Sequence, residues 1–249
     1  MKKNMWKYDR IRGLSSYQLK WIAVVSMMTD HIGMIFYPEM TLFRYIGRIA
    51  FPVFAFLLVE GFFHTRDVVR YLVRLGMFAV LSEIPYDLVF QGSVLEFSHQ
   101  NIFFTLFLSV FMMYHLSMPG NWKVRCVKLF MAMWVASILH VDYSYMGIFL
   151  VFIYYEMHRC GMTVAKDNEE RFQADDSVND MVDNRRKFWF LLSGIWNFLW
   201  PGKLQRYGIL AMPVILLYNG EHGRKSKYFF YVLYPGHLIL IYLIHNLFS

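Results

Sequence analysis

The chain has 249 residues, of which 57% are hydrophobic, 19% aromatic and only 17% charged, with a formal net charge of +7. A soluble domain of this length carries more charge on its surface, so the composition excludes an ordinary water-soluble globule and predicts an all-α, polytopic transmembrane bundle. The basic excess alternates from loop to loop, which marks membrane topology; the lipid bilayer is the expected partner and nucleic acid is not.

Apolar runs long enough for a bilayer core of about 30 Å predict about nine spans. They lie near residues 19–38, 44–63, 71–90, 101–118, 124–140, 143–158, 187–200, 206–219 and 228–247. The first twenty residues are basic and are followed by no small-residue cleavage site, so they read as a cytoplasmic tail with Lys2, Lys3, Lys7, Arg10 and Arg12. Every second loop after that is basic. Arg66, Arg70 and Arg74, then Lys123, Arg125 and Lys128, then Arg159, Arg185, Arg186 and Lys187, then Arg224, Lys225 and Lys227 fall on one side. Residues 91–100 and 140–144 carry no Lys or Arg. The expected topology has the N-terminus inside and the C-terminus outside in the cell membrane, with Lys203 and Arg206 as the exceptions.

Residues 162–186, MTVAKDNEERFQADDSVNDMVDNRR, are acidic, polar and nearly free of aromatic side chains, and predict a disordered cytoplasmic loop inserted in an otherwise single 1–249 membrane domain. Cys126 and Cys160 fall on the reducing side of this topology, so no disulfide is expected. The chain contains no CxxC, HExxH, P-loop or GxGxxG pattern, and no metal is expected.

The polar residues inside the apolar runs carry the chemistry. Asp30 and His31 sit near the middle of the first run, where ionisable groups are expensive and face a bundle interior or a wet cavity. At a rise of 1.5 Å per residue, His31 lies roughly 18 Å from the cytoplasmic end of its span, and Glu83 about as far along the third. Asp87 is one turn beyond Glu83 on the same face, and Arg48 enters from the other side to about the depth of Asp87. Arg48 with Asp87 is equally readable as a structural ion pair. Pro52 and Pro85 are expected to interrupt the second and third helices near these charges. His99, Gln100 and Asn101 open the fourth span, and Asp142 sits in the next outer loop. Three titratable groups near one level, Asp30, His31 and Glu83, point to proton chemistry. On the cytoplasmic side Arg66, Arg70 and Arg74 share a helix face and Lys20 opens the first span. This stripe is either ordinary positive-inside charge or a seat for the phosphates of a nucleotide-bearing donor.

The segments LKWIAVVSMMTDHIG, RYIGRIAFPVFAFLLVEGFFHTR, SEIPYDLVF, HQNIFFTL and LLYNGEHGRKSKYFFYVLYPGHLILIYLI resemble the TraX family of integral membrane proteins, from about residue 17 to the end except 162–186. That family is named for conjugation proteins implicated in N-terminal acetylation of pilin, and is distantly similar to the acyltransferase-3 group. In that group an Arg, ten residues and a His mark the first span; Lys20 and His31 have this spacing, with Lys in place of Arg. The group's Arg pair at the third span is similar to Arg70 and Arg74, here four apart. The resemblance implies an acetyl-CoA-dependent acyltransferase, with acyl-CoA as donor and a pilin-like protein or an envelope glycan as acceptor. His31 is then the expected general base, with Glu83 better placed than Asp30 to orient it, since adjacent helical side chains diverge. Arg48, Asp87, His99, Asp142, Lys20, Arg70 and Arg74 are the expected substrate-binding residues, with Lys20, Arg70 and Arg74 on the donor side. Two other classes stay open: a transporter relaying protons through Asp30, His31, Glu83 and Asp87, and a non-catalytic assembly factor of the envelope.

Overall fold

The structure, a computed structural model, describes residues 13–170, 176–224 and 228–248. The basic tail before residue 13 and the C-terminal Ser249 lie outside the described residues. The described residues form ten α-helices: α1 (Ser16–Phe36), α2 (Thr41–Gly47), α3 (Ala50–His64), α4 (Val68–Phe90), α5 (Ile102–Ser117), α6 (Trp122–Ile138), α7 (Ser144–Glu170), α8 (Asp176–Leu199), α9 (Ala211–Leu216) and α10 (Phe229–Phe248). A 3-10 turn over Gln205–Leu210 leads into α9.

Each apolar run of the sequence coincides with helix, and the departures have physical causes. The second run divides into α2 and α3 just ahead of Pro52, which falls in the first turn of α3, where its missing N–H is not needed. Pro85, by contrast, does not end α4, which continues through it to Phe90. The 162–186 stretch, expected as a disordered loop, is largely helical: α7 runs on to Glu170 and α8 starts at Asp176, with 171–175 outside the described residues. Unbranched residues such as Glu, Lys and Arg lose little rotamer freedom in a helix. Extending an existing helix also avoids the costly first turn.

Among the described residues, three segments are long and apolar enough to cross a membrane: Ser16–Phe36, Thr41–His64 and Phe229–Leu247; Ile102–Ser117 is a shorter apolar helix. The outer face of α4 exposes Val69, Val73, Met77, Val80 and Ile84, spaced three or four residues apart. A continuous apolar stripe of that kind suits lipid and not water.

The chain forms two compact units, to both of which α1, α2, α3 and α7 contribute. One gathers the chain up to Met27, Tyr45–Glu60 and Leu150–Lys225. Its core is α3, whose Val53, Ala55, Phe56 and Val59 are fully buried, as are Ile153 and Tyr154 of α7. Phe56 meets the rings of Tyr154 and Tyr218 edge-on at 5.8 and 5.4 Å. A helix apolar on nearly every side belongs inside a bundle. The chain entering α1 is held by backbone bonds from Leu14 N–H to the Leu217 carbonyl (2.7 Å) and from Asn219 N–H to the Leu14 carbonyl (3.0 Å).

The second unit gathers Met28–Arg44, Gly61–Phe149 and the chain from Ser226. There α4 packs against both α5 and α10, and α5 against α6. Side-chain caps set the starts: Asp67 accepts the Arg70 N–H at 2.9 Å, Asn101 the Phe103 N–H at 2.9 Å and Asn121 the Val124 N–H at 3.0 Å. In the same unit Gly33 of α1 faces Phe43 of α2 so closely that an added Cβ would overlap the Phe43 Cβ. Gly33→Ala is therefore expected to lower stability by about 1–3 kcal/mol, the usual range for overpacking. Thermal unfolding in detergent checks this; a midpoint equal to that of the unsubstituted protein would show that the α1–α2 approach is looser than described.

Candidate active site

Asp30 and His31 project from α1 to different neighbours, because successive helical residues lie about 100° apart. Asp30 accepts a hydrogen bond from Arg44 Nε at 2.9 Å, an ion pair that fastens α1 to α2. His31 turns to α10. Its Nδ1 lies 2.8 Å from Nε2 of His237, and the two rings are within 9° of parallel. His237 Nδ1 is 3.0 Å from the carbonyl of Leu233, one turn earlier on α10. The ring of Phe90 packs edge-on to His31 at 5.1 Å, and that of Tyr234 at 6.4 Å. His31 is half-buried and His237 is buried.

The carboxylates of α4 lie deeper. Glu83 Oε2 accepts from the backbone N–H of Asn101 at 3.2 Å and from the Asn101 side-chain amide, which also donates to the Ala79 carbonyl at 2.8 Å. Asn101 thus caps α5 and pins Glu83 in one step. Asp87 Oδ2 accepts the Glu96 N–H at 2.8 Å, folding the 91–100 loop back over the end of α4. The other oxygen of each, Glu83 Oε1 and Asp87 Oδ1, is buried with no hydrogen-bond partner among the described residues. The phenol groups of Tyr86 and Tyr234 both lie within electrostatic reach of Glu83 and Asp142. The Tyr234 ring also packs on His31.

Asp142 is placed by a strained loop. His140, Tyr143 and Ser144 have φ of 49°, 62° and 44°, a region that side chains with a Cβ rarely occupy. What holds them there is hydrogen bonding to the start of α5. Gln100 N–H donates to the His140 carbonyl at 3.2 Å, Asp142 N–H to the Gln100 carbonyl at 3.0 Å, and Thr105 Oγ1 to the Asp142 carbonyl. Strain over-determined in this way is a recurrent property of functional loops. His99 is exposed and meets His140 edge-on at 6.2 Å.

The remaining predicted residues each have their own neighbours. Arg48 donates to Gln205 Oε1 at 3.0 Å within the first unit, while Asp87 belongs to the second, so each of the two residues expected as an ion pair has a bond inside its own unit. Lys20 is half-buried on α1, about 16 Å along the helix from His31 by the rise per residue. Arg70 is spread over the surface with its Nε 2.9 Å from Asp67 Oδ2. Arg74 lies over the Tyr71 ring at 5.5 Å, within electrostatic reach of Tyr231 of α10; its Nε is buried without a partner among the described residues. Among the described residues no group of three or more His, Cys, Asp or Glu is arranged to hold a metal.

Two constellations were not singled out in the sequence. One is His237 itself. The other is a buried network in the first unit: Glu60 Oε2 lies 2.6 Å from His158 Nε2, Glu60 Oε1 accepts from the Tyr218 hydroxyl at 2.9 Å, and His158 Nδ1 is 3.2 Å from the Tyr154 carbonyl. All of these residues are polar side chains inside apolar runs, the same signal that marked Asp30 and His31. The signal does not say which of them meet.

Helical, membrane-embedded and built around buried titratable side chains, the molecule is of the polytopic membrane class. Residues 15–171 and 179–245 match the TraX protein family, and the chain belongs to it. It is a multi-pass protein of the cell membrane. It is similar to the probable fimbrial assembly protein FimC, serogroup H1, of Dichelobacter nodosus, at 29% identity over 91% of this chain and 94% of that one. It is also similar to an uncharacterised protein of Rickettsia prowazekii, at 34% identity over 41% of this chain and 38% of that one. No solved structure matches the chain.

Proposed function

We propose that this protein is an acyltransferase that moves the acetyl group of acetyl-CoA to the amino terminus of a pilin-like protein. The observation that carries the reading is the hydrogen-bonded His31–His237 pair, a half-buried imidazole held by a second one between two largely apolar helices. Membership of the TraX family and similarity to a fimbrial assembly protein support the acceptor class. In this reading the acceptor nitrogen attacks the thioester carbonyl carbon, a C–N bond forms and the C–S bond breaks. The proton lost by the nitrogen passes to His31 and on to the departing CoA sulfur. An imidazole suits both transfers because its ordinary pKa lies near neutral pH.

On the donor side, the orphaned Nε of Arg74 is a buried hydrogen-bond donor of the right charge for a phosphate oxygen. The guanidinium lies over the Tyr71 ring. Removing one charge-assisted contact is worth about 1.5–3 kcal/mol, so Arg74→Ala is expected to raise the apparent KM for acetyl-CoA roughly ten- to a hundredfold with turnover little changed. A loss confined to kcat would remove Arg74 from the donor site. Arg70, exposed and already paired with Asp67, is expected to matter less.

The reading is tested by incubating the purified protein in lipid with labelled acetyl-CoA, a pilin-like peptide with a free amino terminus, and an envelope glycan. Label on the peptide supports it. Label on the glycan alone replaces the amine by a hydroxyl acceptor, and label on neither contradicts acyl transfer.

A further inference from the structure

The hydrogen bonds around the two histidines determine where their protons sit. A backbone carbonyl only accepts, so the 3.0 Å contact from His237 Nδ1 to the Leu233 carbonyl places a hydrogen on that Nδ1. A neutral imidazole carries one N–H, so His237 Nε2 bears a lone pair. The 2.8 Å contact between this nitrogen and His31 Nδ1 then needs a hydrogen on His31 Nδ1. When His31 is neutral its own lone pair is on Nε2.

We infer that His237 is a positioning residue that fixes His31 as the Nδ1–H tautomer, aiming Nε2 as the basic nitrogen. The inference rests on the reading of His31 as a general base. His31 without such a partner is free to take the Nε2–H form, in which the nitrogen facing away from His237 has no lone pair to accept a proton. The coplanarity of the rings, 9°, adds a second constraint, since it keeps the imidazole from swinging about its χ2 axis. Phe90 and Tyr234 close on the same ring from other sides. Leu233, His237 and His31 therefore form one chain of donors and acceptors running from a helix carbonyl to a single basic nitrogen. It is the logic by which a third group orients the base in a nucleophile–base pair.

The test uses full-length protein labelled with 15N-histidine, in lipid and above neutral pH, with the His31 signals assigned by their loss in His31→Ala. Solid-state 15N spectra are expected to show His31 with a protonated Nδ1 and an unprotonated Nε2. His237→Leu, which removes the acceptor, should move His31 toward the Nε2–H form and lower kcat about ten- to a hundredfold at unchanged donor KM. His237→Gln, whose amide oxygen can accept from Nδ1–H, should keep the His31 tautomer and restore most of the rate. A protonated Nε2 on His31 in the unsubstituted protein, or spectra unchanged by His237→Leu, would overturn the inference whatever the transfer assay gives. The expected tautomer in a protein that transfers no acetyl group would instead support the positioning by His237 and count against acyl transfer.

Discussion

His158→Leu is expected to destabilise the protein by about 1–3 kcal/mol, the usual penalty for removing one partner of a buried hydrogen-bonded pair. His158 is fully buried and its side chain meets a Glu60 side chain only 6% exposed. Without the imidazole, Glu60 keeps the Tyr218 hydroxyl but loses the 2.6 Å contact of its second oxygen in a medium that solvates polar groups poorly. Glu60→Leu is expected to be similarly damaging, because it removes the bonds to both His158 Nε2 and the Tyr218 hydroxyl. Removing the whole network, with Glu60→Leu, His158→Leu and Tyr218→Phe together, should recover most of the loss, since apolar residues of similar volume replace a buried pair at little net cost. Unfolding midpoints of the single and triple variants in one detergent check this. Additive losses in the triple variant would show that the three side chains act independently and not as a network.

The same network shows where the sequence is legible and where it is not. Apolar runs announce helices because a backbone in lipid must satisfy its own hydrogen bonds, and each such run is indeed helical. The break ahead of Pro52 follows from the missing N–H of proline. Its absence at Pro85 does not, because a helix already held by packing against α5 and α10 tolerates one lost bond. The helical extension over much of 162–186 was hidden by composition: a polar stretch without a core can still continue a helix nucleated elsewhere. Asp30 and His31 stood out as charges in an apolar run. Their partners, Arg44 and His237, were not assigned, and in the second case the contact spans 206 residues of sequence. Level along the helix axis is readable from the 1.5 Å rise, but rotation about the axis and the choice of neighbouring helix are set by packing. That is why Glu83 seemed the natural orienter of His31, whereas His31 Nδ1 is taken by His237 and Glu83 by Asn101. The left-handed residues of the 140–144 loop gave no compositional warning either, since none of them is glycine.

His31→Ala carries the largest expected effect on activity. A general base contributes about 10² to 10⁴ in rate, and its loss should fall on kcat because the proton moves only in the chemical step. Donor binding should be preserved, since Arg74 lies near the start of α4 and His31 packs on Phe90 at its far end. Four turns and more of helix separate Arg74 from Phe90, roughly 24 Å by the rise per residue. Groups that far apart without shared partners act additively, so the His31→Ala/Arg74→Ala double variant should show the product of the two losses. Strong coupling between them would mean that His31 belongs to the donor site.

The most direct measurement is single-turnover transfer of labelled acetyl from acetyl-CoA to the free amino terminus of a pilin-like peptide, for the unsubstituted protein and His31→Ala in the same lipid. Donor binding is measured in parallel on both. Acetyl transfer by the former, slowed by at least about a hundredfold in His31→Ala with donor affinity unchanged, is the predicted result. Transfer at equal rates by both, or by neither, would contradict the account.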